Sequence, residues 1–426
     1  MSPIQDHPLR YPLANELHAR PFPTLNAPAH AVYLAIKQSQ DAANRDRAQD
    51  LAHLVDLLDR FGAPHPQPGA THYFADLGPF RLKWESHTEF VTYTAIVDGV
   101  EDRPFDRAAF DVFPDDWLES APGARMTSAM LRFQPFDTAQ QVVDRLADWF
   151  VPESLAASEI LDGAAIMAGD FRIDSAGHMR FAVFPKPDTG PARCGRILQR
   201  LCEIETYKSM SMLGLSRARS LSPQLGTLDG RLNALTEVMA TQAQPAEETL
   251  SELLQITAEL ERLASQSAFR FSATDAYGSL VVDRIRVLRE ERFENRQTFN
   301  EFMARRFDPA QRTVRATEAQ VRSMAERAAR AAELLRTRVD VERSAQNQKL
   351  LESMDSRAQV QLRLQETVEG LSVVAISYYA VSLAAYALYP LADPLGLSKG
   401  MLTALLVPVV VGAVFLMVRR IRKRLH

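Results

Sequence analysis

Two stretches near the C-terminus restrict this chain more than anything else in it. From Leu371 to Leu388 no residue carries a charge, and Met401 to Val418 is uncharged as well. Each run is about 27 Å long as a helix, close to the thickness of a bilayer's hydrocarbon core. A hairpin of two membrane-spanning helices, over about 371–389 and 401–418, accommodates both; burial of the pair inside a soluble core is the alternative. The connection YPLADPLGLSKG holds one acid and one base, whereas Arg419, Arg420, Arg422, Lys423 and Arg424 follow the second run at once. That excess of cations assigns this end to the cytoplasm, and a short hairpin returns the start of the first run to the same side. Tyr386 and Tyr389 suit the far interface, where amphipathic rings settle, and Pro408 is tolerable in a lipid-spanning helix.

The residues ahead of the hairpin read as one long helix. Asp308 and Pro309 form a start signal, N-cap followed by first helical residue. From Ala310 to Glu369 there is then neither proline nor glycine, which predicts a stalk about 90 Å long that runs into the first uncharged stretch. Apolar residues recur at three and four, through Val321, Met324, Ala328, Leu335, Val339, Leu350, Met354 and Leu362, as a stripe that must pack on something. Between Phe307 and Glu369 stand eleven basic and ten acidic residues, the balance of a solvated helix.

Composition narrows the classes. With 426 residues, 46% of them hydrophobic and 24% charged, the chain can bury two or three cores. A net charge of -4 lacks the basic footprint of a nucleic-acid binder. The two cysteines, Cys194 and Cys202, read as buried thiols in a reducing compartment rather than a disulfide framework. The N-terminal MSPIQDHPLRYPLANELHARPFP has no basic and apolar regions of a signal peptide, so the bulk of the chain is expected to stay in the cytoplasm.

The expected fold is α+β. Residues 1–190 read as an α/β domain with a mostly antiparallel sheet. Strands are predicted at AHAVYLAIK, THYFADL, FRLKWES, EFVTYTAIV, ARMTSAMLRF, GAAIMAGDFRI and HMRFAVF, helices at 40–61 and 137–150, and a turn at DSAG. A helical layer over 191–307 is expected to break near SPQLGTLDG, QAQPAEE and FSATDAYG. The stalk, 308–369, and the hairpin with its basic tail, 370–426, complete the plan.

Several segments resemble a bacterial family. NELHARPFPTLNAP, KWESHTEFVTYT, LREERFENRQTFNEFMARR, LLRTRVDVE and QLRLQETVEGLSVVAISYY are similar to uncharacterised membrane-anchored proteins (domain of unknown function 3422), over nearly the whole chain. The resemblance implies a membrane anchor, expected in the bacterial inner membrane, and carries no assigned activity over to this chain. A second likeness is one of layout: an N-terminal α/β domain, a long helix entering the first of two closing membrane helices, and a basic tail are similar to CorA-type magnesium transporters. Those carry Gly-Met-Asn after the first membrane helix. Here Gly400 and Met401 are followed by Leu402 at the start of the second run, so the motif tied to magnesium selectivity is missing.

Chemical motifs are sparse. No dinucleotide, phosphate-loop or zinc-protease signature occurs, and the expectation is a protein without catalytic activity. Glu85, His87 and Glu89 would share one strand face and can then approach one divalent cation, unless SHTE is a turn. His18 and Arg20 suit an anion, or simple packing. The stretch from Asp98 to Glu119, which includes Asp111, Asp115 and Asp116 beside Arg103 and Arg107, is either a divalent-cation site or a solvated acidic surface. Tyr378, Ser382, Tyr386 and Tyr389 lie on one face of the first run and either line a pore in an oligomer or pack against a helix. Three readings stay open: a tethered scaffold that self-associates through stalk and hairpin, an oligomeric transporter, and an enzyme.

Overall fold

The structure, a computed structural model, describes residues 4–11, 13–14, 22–392 and 398–425, and the side chains of all of these except 389, 391, 392 and 422–425. His18 and Arg20, the side chains of Tyr389, Arg422, Lys423 and Arg424, and most of the connection between the uncharged runs therefore lie outside the described residues.

Nine strands form one sheet among the described residues: β1 (Ala29–Lys37), β2 (His72–Asp76), β3 (Arg81–Ser86), β4 (Phe90–Asp98), β5 (Ala124–Phe133), β6 (Ala156–Ile160), β7 (Ala165–Gly169), β8 (Met179–Pro185) and β9 (Glu291–Arg292). Their order is β2-β3-β4-β1-β5-β8-β7-β6-β9. Every neighbouring pair is antiparallel except β5 and β8, so the expected mostly antiparallel sheet is present. The order strand, helix, three-stranded meander occurs twice. The first copy uses α1 (Arg47–Arg60) and the second α3 (Ala139–Trp149), with the short α2 (Asp115–Glu119) between them. The halves are not copies, because β4 runs against β1 whereas β8 runs along β5.

Both faces of the sheet are covered. Along β1 the odd residues Ala29, Ala31, Tyr33 and Ala35 meet Cys194, Ile197, Leu198 and Leu201 of α4 (Pro191–Thr241). The even residues Val32, Leu34 and Ile36 meet Leu54, Leu57 and Leu58 of α1 and Trp117 of α2. Val142, Leu146 and Trp149 of α3 cover Ile166, Ala182 and Phe184 in the other half of that second face. Each such large side chain removed from water contributes roughly 1.5–3 kcal/mol.

Two expected breaks are absent. α4 runs through SPQLGTLDG with Pro223 inside it, and α5 (Ala246–Arg286) runs through FSATDAYG. Leu221, Leu225, Leu228 and Leu232 are all buried at helical spacing, and that packing outweighs the hydrogen bond a proline removes. The break at QAQPAEE is real. The strands β6 and β9 were not legible: AASEI has too little β-branched character, and β9 has two residues. Glu290 explains why β9 is held. Its carboxylate accepts from Ser158 Oγ at 2.6 Å and from the backbone N–H of Phe299 and Asn300 at 2.9 Å, so it ties β6 to the start of α6 (Phe299–Arg306).

The chain divides into two compact units. The first, Met1–Thr241 with Ser251–Ala331, holds the sheet and its helices. Within it Gly214 of α4 lies against Thr274 of α5, and Ser211 Oγ donates to the Thr274 carbonyl at 2.8 Å. Arg315 and Arg327, from the start of α7 (Asp308–Ala392), pair with Asp275 and Asp229. The second unit is Gln242–Leu250 with Ala332–His426. There Arg343 pairs with Glu247, and Leu335 and Val339 are buried. From Leu350 onward most of the large apolar side chains of α7 stand exposed, Val381 being buried. α7 is a single helix of 85 residues that includes the whole first uncharged run, and α8 (Lys399–Leu425) includes the second. Both are long and apolar enough to cross a membrane.

Candidate functional site

The turn SHTE connects β3 to β4, which removes the shared strand face on which Glu85, His87 and Glu89 would meet. Arg45 fixes this turn from inside the fold. Its buried guanidinium donates to the carbonyls of His87, Thr88 and Phe90 and pairs with Asp50 at 2.7 Å. Glu89 is buried and paired with Arg270, and it accepts from Tyr277 Oη at 3.2 Å. Glu85 pairs with Lys83 at 3.2 Å, and the His87 ring stacks on Phe90 at 4.4 Å. These side chains point to separate partners.

A polar layer lies between β3 and α4. Lys83 Nζ donates to Gln199 Oε1 at 2.7 Å, Gln199 donates to Glu203, and Arg284 pairs with Glu203. Tyr33 Oη and Thr206 Oγ1 are 2.6 Å apart. The cavity among these groups is about 20 Å³, room for a water and not for a substrate. Cys194 and Cys202 are free and buried, and burial pushes both thiols up.

The acidic stretch is dispersed. Asp98 pairs with Arg81, and both oxygens of Asp116 accept from Arg60 Nη1 at 2.8 Å while Arg60 Nε donates to Asp56 at 3.1 Å. Asp106 caps the short 3₁₀ turn Arg107–Val112. Among the described residues no three His, Cys, Asp or Glu side chains are grouped as a metal ion needs.

Asp111 and Asp115 instead stand at a cleft of about 260 Å³ on the α1 side of the sheet. Its apolar walls include Leu34, Ile36, Phe110 and Leu118, and its charged groups include Arg107 and Arg125. His178 lines it too. The residue is 4% exposed, stacked on Phe110 at 4.0 Å, with Nδ1 2.8 Å from Ser128 Oγ. Ser128 Oγ is also 3.3 Å from the Gly177 carbonyl. Donation from Nδ1–H to Ser128, and from Ser128 to that carbonyl, satisfies both groups. Nε2 then has no partner among the described residues. Burial and the nearby charge of Arg125 hold this imidazole below its ordinary value. Arg125 lies over the turn 174–177, where a Cβ on Gly177 would come within 2.6 Å of a guanidinium nitrogen. Neither Arg107 nor Arg125 has an acid within ion-pair distance among the described residues. Of this group the sequence reading singled out Asp111, Asp115 and Arg107 as part of the acidic run, and it missed Arg125, Ser128 and His178. The one available signal was His178 beside the DSAG turn.

In the second unit Tyr378, Ser382 and Tyr386 line a groove of about 500 Å³ whose opposite wall is Lys399, Thr403, Val407 and Val411 of α8. These hydroxyl-bearing residues border a groove against the second helix of their own hairpin, with Tyr378 and Tyr386 each 70% exposed. Arg419 and Arg420 follow the last apolar turns of α8.

No curated protein matches this chain. No solved structure matches it either, and the layout likeness to CorA-type transporters finds no support. A family model described as "Protein of unknown function (DUF3422)" matches residues 5–425. With nearly every residue inside that match, the chain belongs to this family.

Proposed function

We propose that the protein is anchored in the bacterial inner membrane by its C-terminal hairpin, with its α/β unit and both termini in the cytoplasm, and works there as an interaction scaffold rather than an enzyme. The observation that carries this reading is the chemistry of the two uncharged runs. Their side chains stand open, with Val374 and Leu405 69% and Leu383 70% exposed, a surface that lipid accepts and water does not. Arg419 and Arg420 at the exit supply the cytoplasmic assignment. The exposed Leu350, Leu351, Met354, Leu362 and Leu364 of α7 support self-association between copies whose stalks leave the same membrane plane.

The scaffold reading is preferred to a pore because Tyr378, Ser382 and Tyr386 border a groove within one hairpin. A conducting path needs such groups around an axis shared by several copies. The deciding experiment is the oligomeric mass in nanodiscs, beside that of a chain ending at Arg363. A dimer in both is the expected result, and a monomer in both would remove the self-association through the stalk. A closed oligomer of about four or more copies that depends on the hairpin would replace the scaffold with a pore. Single cysteines at 398 and 425 complete the test: the first is expected to react with an impermeant thiol reagent only from outside the cytoplasm, the second only from inside.

A further inference from the structure

We propose that the cleft beneath the 3₁₀ turn Arg107–Val112 binds a small monocarboxylate with an apolar body, its carboxylate held between Arg107 and Arg125 and against His178. The inference goes beyond the scaffold reading and does not depend on the membrane assignment.

Three features of the cleft support it together. Arg107 and Arg125 are guanidinium groups without an acid in ion-pair distance among the described residues, and such forks match the two oxygens of a carboxylate. His178 is almost wholly buried, yet its Nε2 has no protein partner among the described residues while Nδ1 is fixed by Ser128. Nε2 is open to the cleft rather than sealed off, and a ligand oxygen there supplies the hydrogen bond that the protein leaves unmade. Leu34, Ile36, Phe110 and Leu118 give the rest of the volume an apolar lining. At about 260 Å³ the space suits a molecule smaller than a typical drug.

Asp111 and Asp115 on the same cleft set the charge. They limit the net positive field, so a dianion such as phosphate meets two repelling carboxylates that a monoanion tolerates better. The groups facing His178 are Arg107, Arg125, Asp174 and the hydroxyl of Ser128, with Asp111 and Asp115 across the cleft. A neutral ring offers Nε2 only as an acceptor. Arrival of a carboxylate favours the protonated ring, which then donates, so binding takes up a proton. Affinity accordingly rises as the pH falls through the imidazole range.

The test is calorimetric titration of the full chain in nanodiscs with hexanoate, inorganic phosphate and hexylamine. Hexanoate is expected to bind saturably and in preference to both others. Arg107→Gln and Arg125→Gln are each expected to weaken it roughly tenfold or more. Both arginines are exposed, so the fold tolerates these changes, which circular dichroism verifies. Proton uptake, read by repeating the titration in buffers of different ionisation enthalpy, is expected in the parent and absent in His178→Gln. The proposal is overturned if hexanoate does not bind, if the double arginine variant binds it as well as the parent, or if phosphate or hexylamine binds more tightly.

Discussion

Arg45 is a charge placed inside the core to hold a turn. Its side chain is 1% exposed, its partner Asp50 3%, and three carbonyls of the β3–β4 turn depend on it. Burial raises the Asp50 carboxyl, and the Arg45 charge draws it back down. Removing one member of such a buried pair leaves the other uncompensated, so Arg45→Ala is expected to cost about 3–5 kcal/mol. The midpoint of urea unfolding measures it, and a change below about 1 kcal/mol would mean the pair is not desolvated as described. His53 is a second core group whose protonation matters. Its Nδ1 is 2.9 Å from Tyr93 Oη and its Nε2 3.0 Å from the Trp117 carbonyl, and burial lowers its affinity for a proton. The unfolded chain therefore binds more protons than the folded one just below the ordinary imidazole value of 6.5. Stability is expected to fall as the pH drops through that value and to level off once the folded ring also protonates. A melting temperature independent of pH across that window in the parent chain would contradict it.

At the scale of elements, glycines in α4 have opposite roles. A Cβ on Gly214 would come within 2.2 Å of Thr274 Oγ1, whereas one on Gly226 meets nothing within 4 Å. Gly214→Ala is expected to destabilise by about 1–3 kcal/mol through overpacking. Gly226→Ala should stabilise by roughly 0.5–1 kcal/mol through helix propensity. Calorimetric melting of the two variants reads both signs, and the same sign in both would refute this account of the α4–α5 contact. The elements that announced themselves in sequence were those with one strong period: β1, β5, α7 and the two uncharged runs. Pro223 misled because a local signal cannot report the leucines that tertiary contact buries around it. β9 was invisible because Glu290, not strand propensity, holds it. The cleft was half legible, since the acidic run drew attention to Asp111 and Asp115. Nothing in the spacing of Arg125, Ser128 and His178 shows that β5 and the flank of β8 bring them beside residues 107–118.

At the scale of the whole chain, the family match covers both the sheet-bearing residues and the two apolar helices, so the proposed anchor lies within the part of the chain that the family model matches. A chain ending at Arg363 lacks both uncharged runs and keeps the first unit entire. It is expected to remain in the supernatant after membranes are pelleted, whereas the full chain should pellet and resist a high-pH wash. Retention of the shortened chain in that washed pellet would show that the hairpin is not what holds the protein to lipid.

The ends of the nine-strand order bear on how crowding is tolerated. Unpaired strand margins template aggregation when copies concentrate, as the proposed membrane anchor would make them do. Here one margin is the two residues of β9 and the other the five of β2, which ends at Asp76. The β9 margin offers almost no backbone for another copy's strand, so edge-to-edge pairing through this sheet is confined to the five residues of β2.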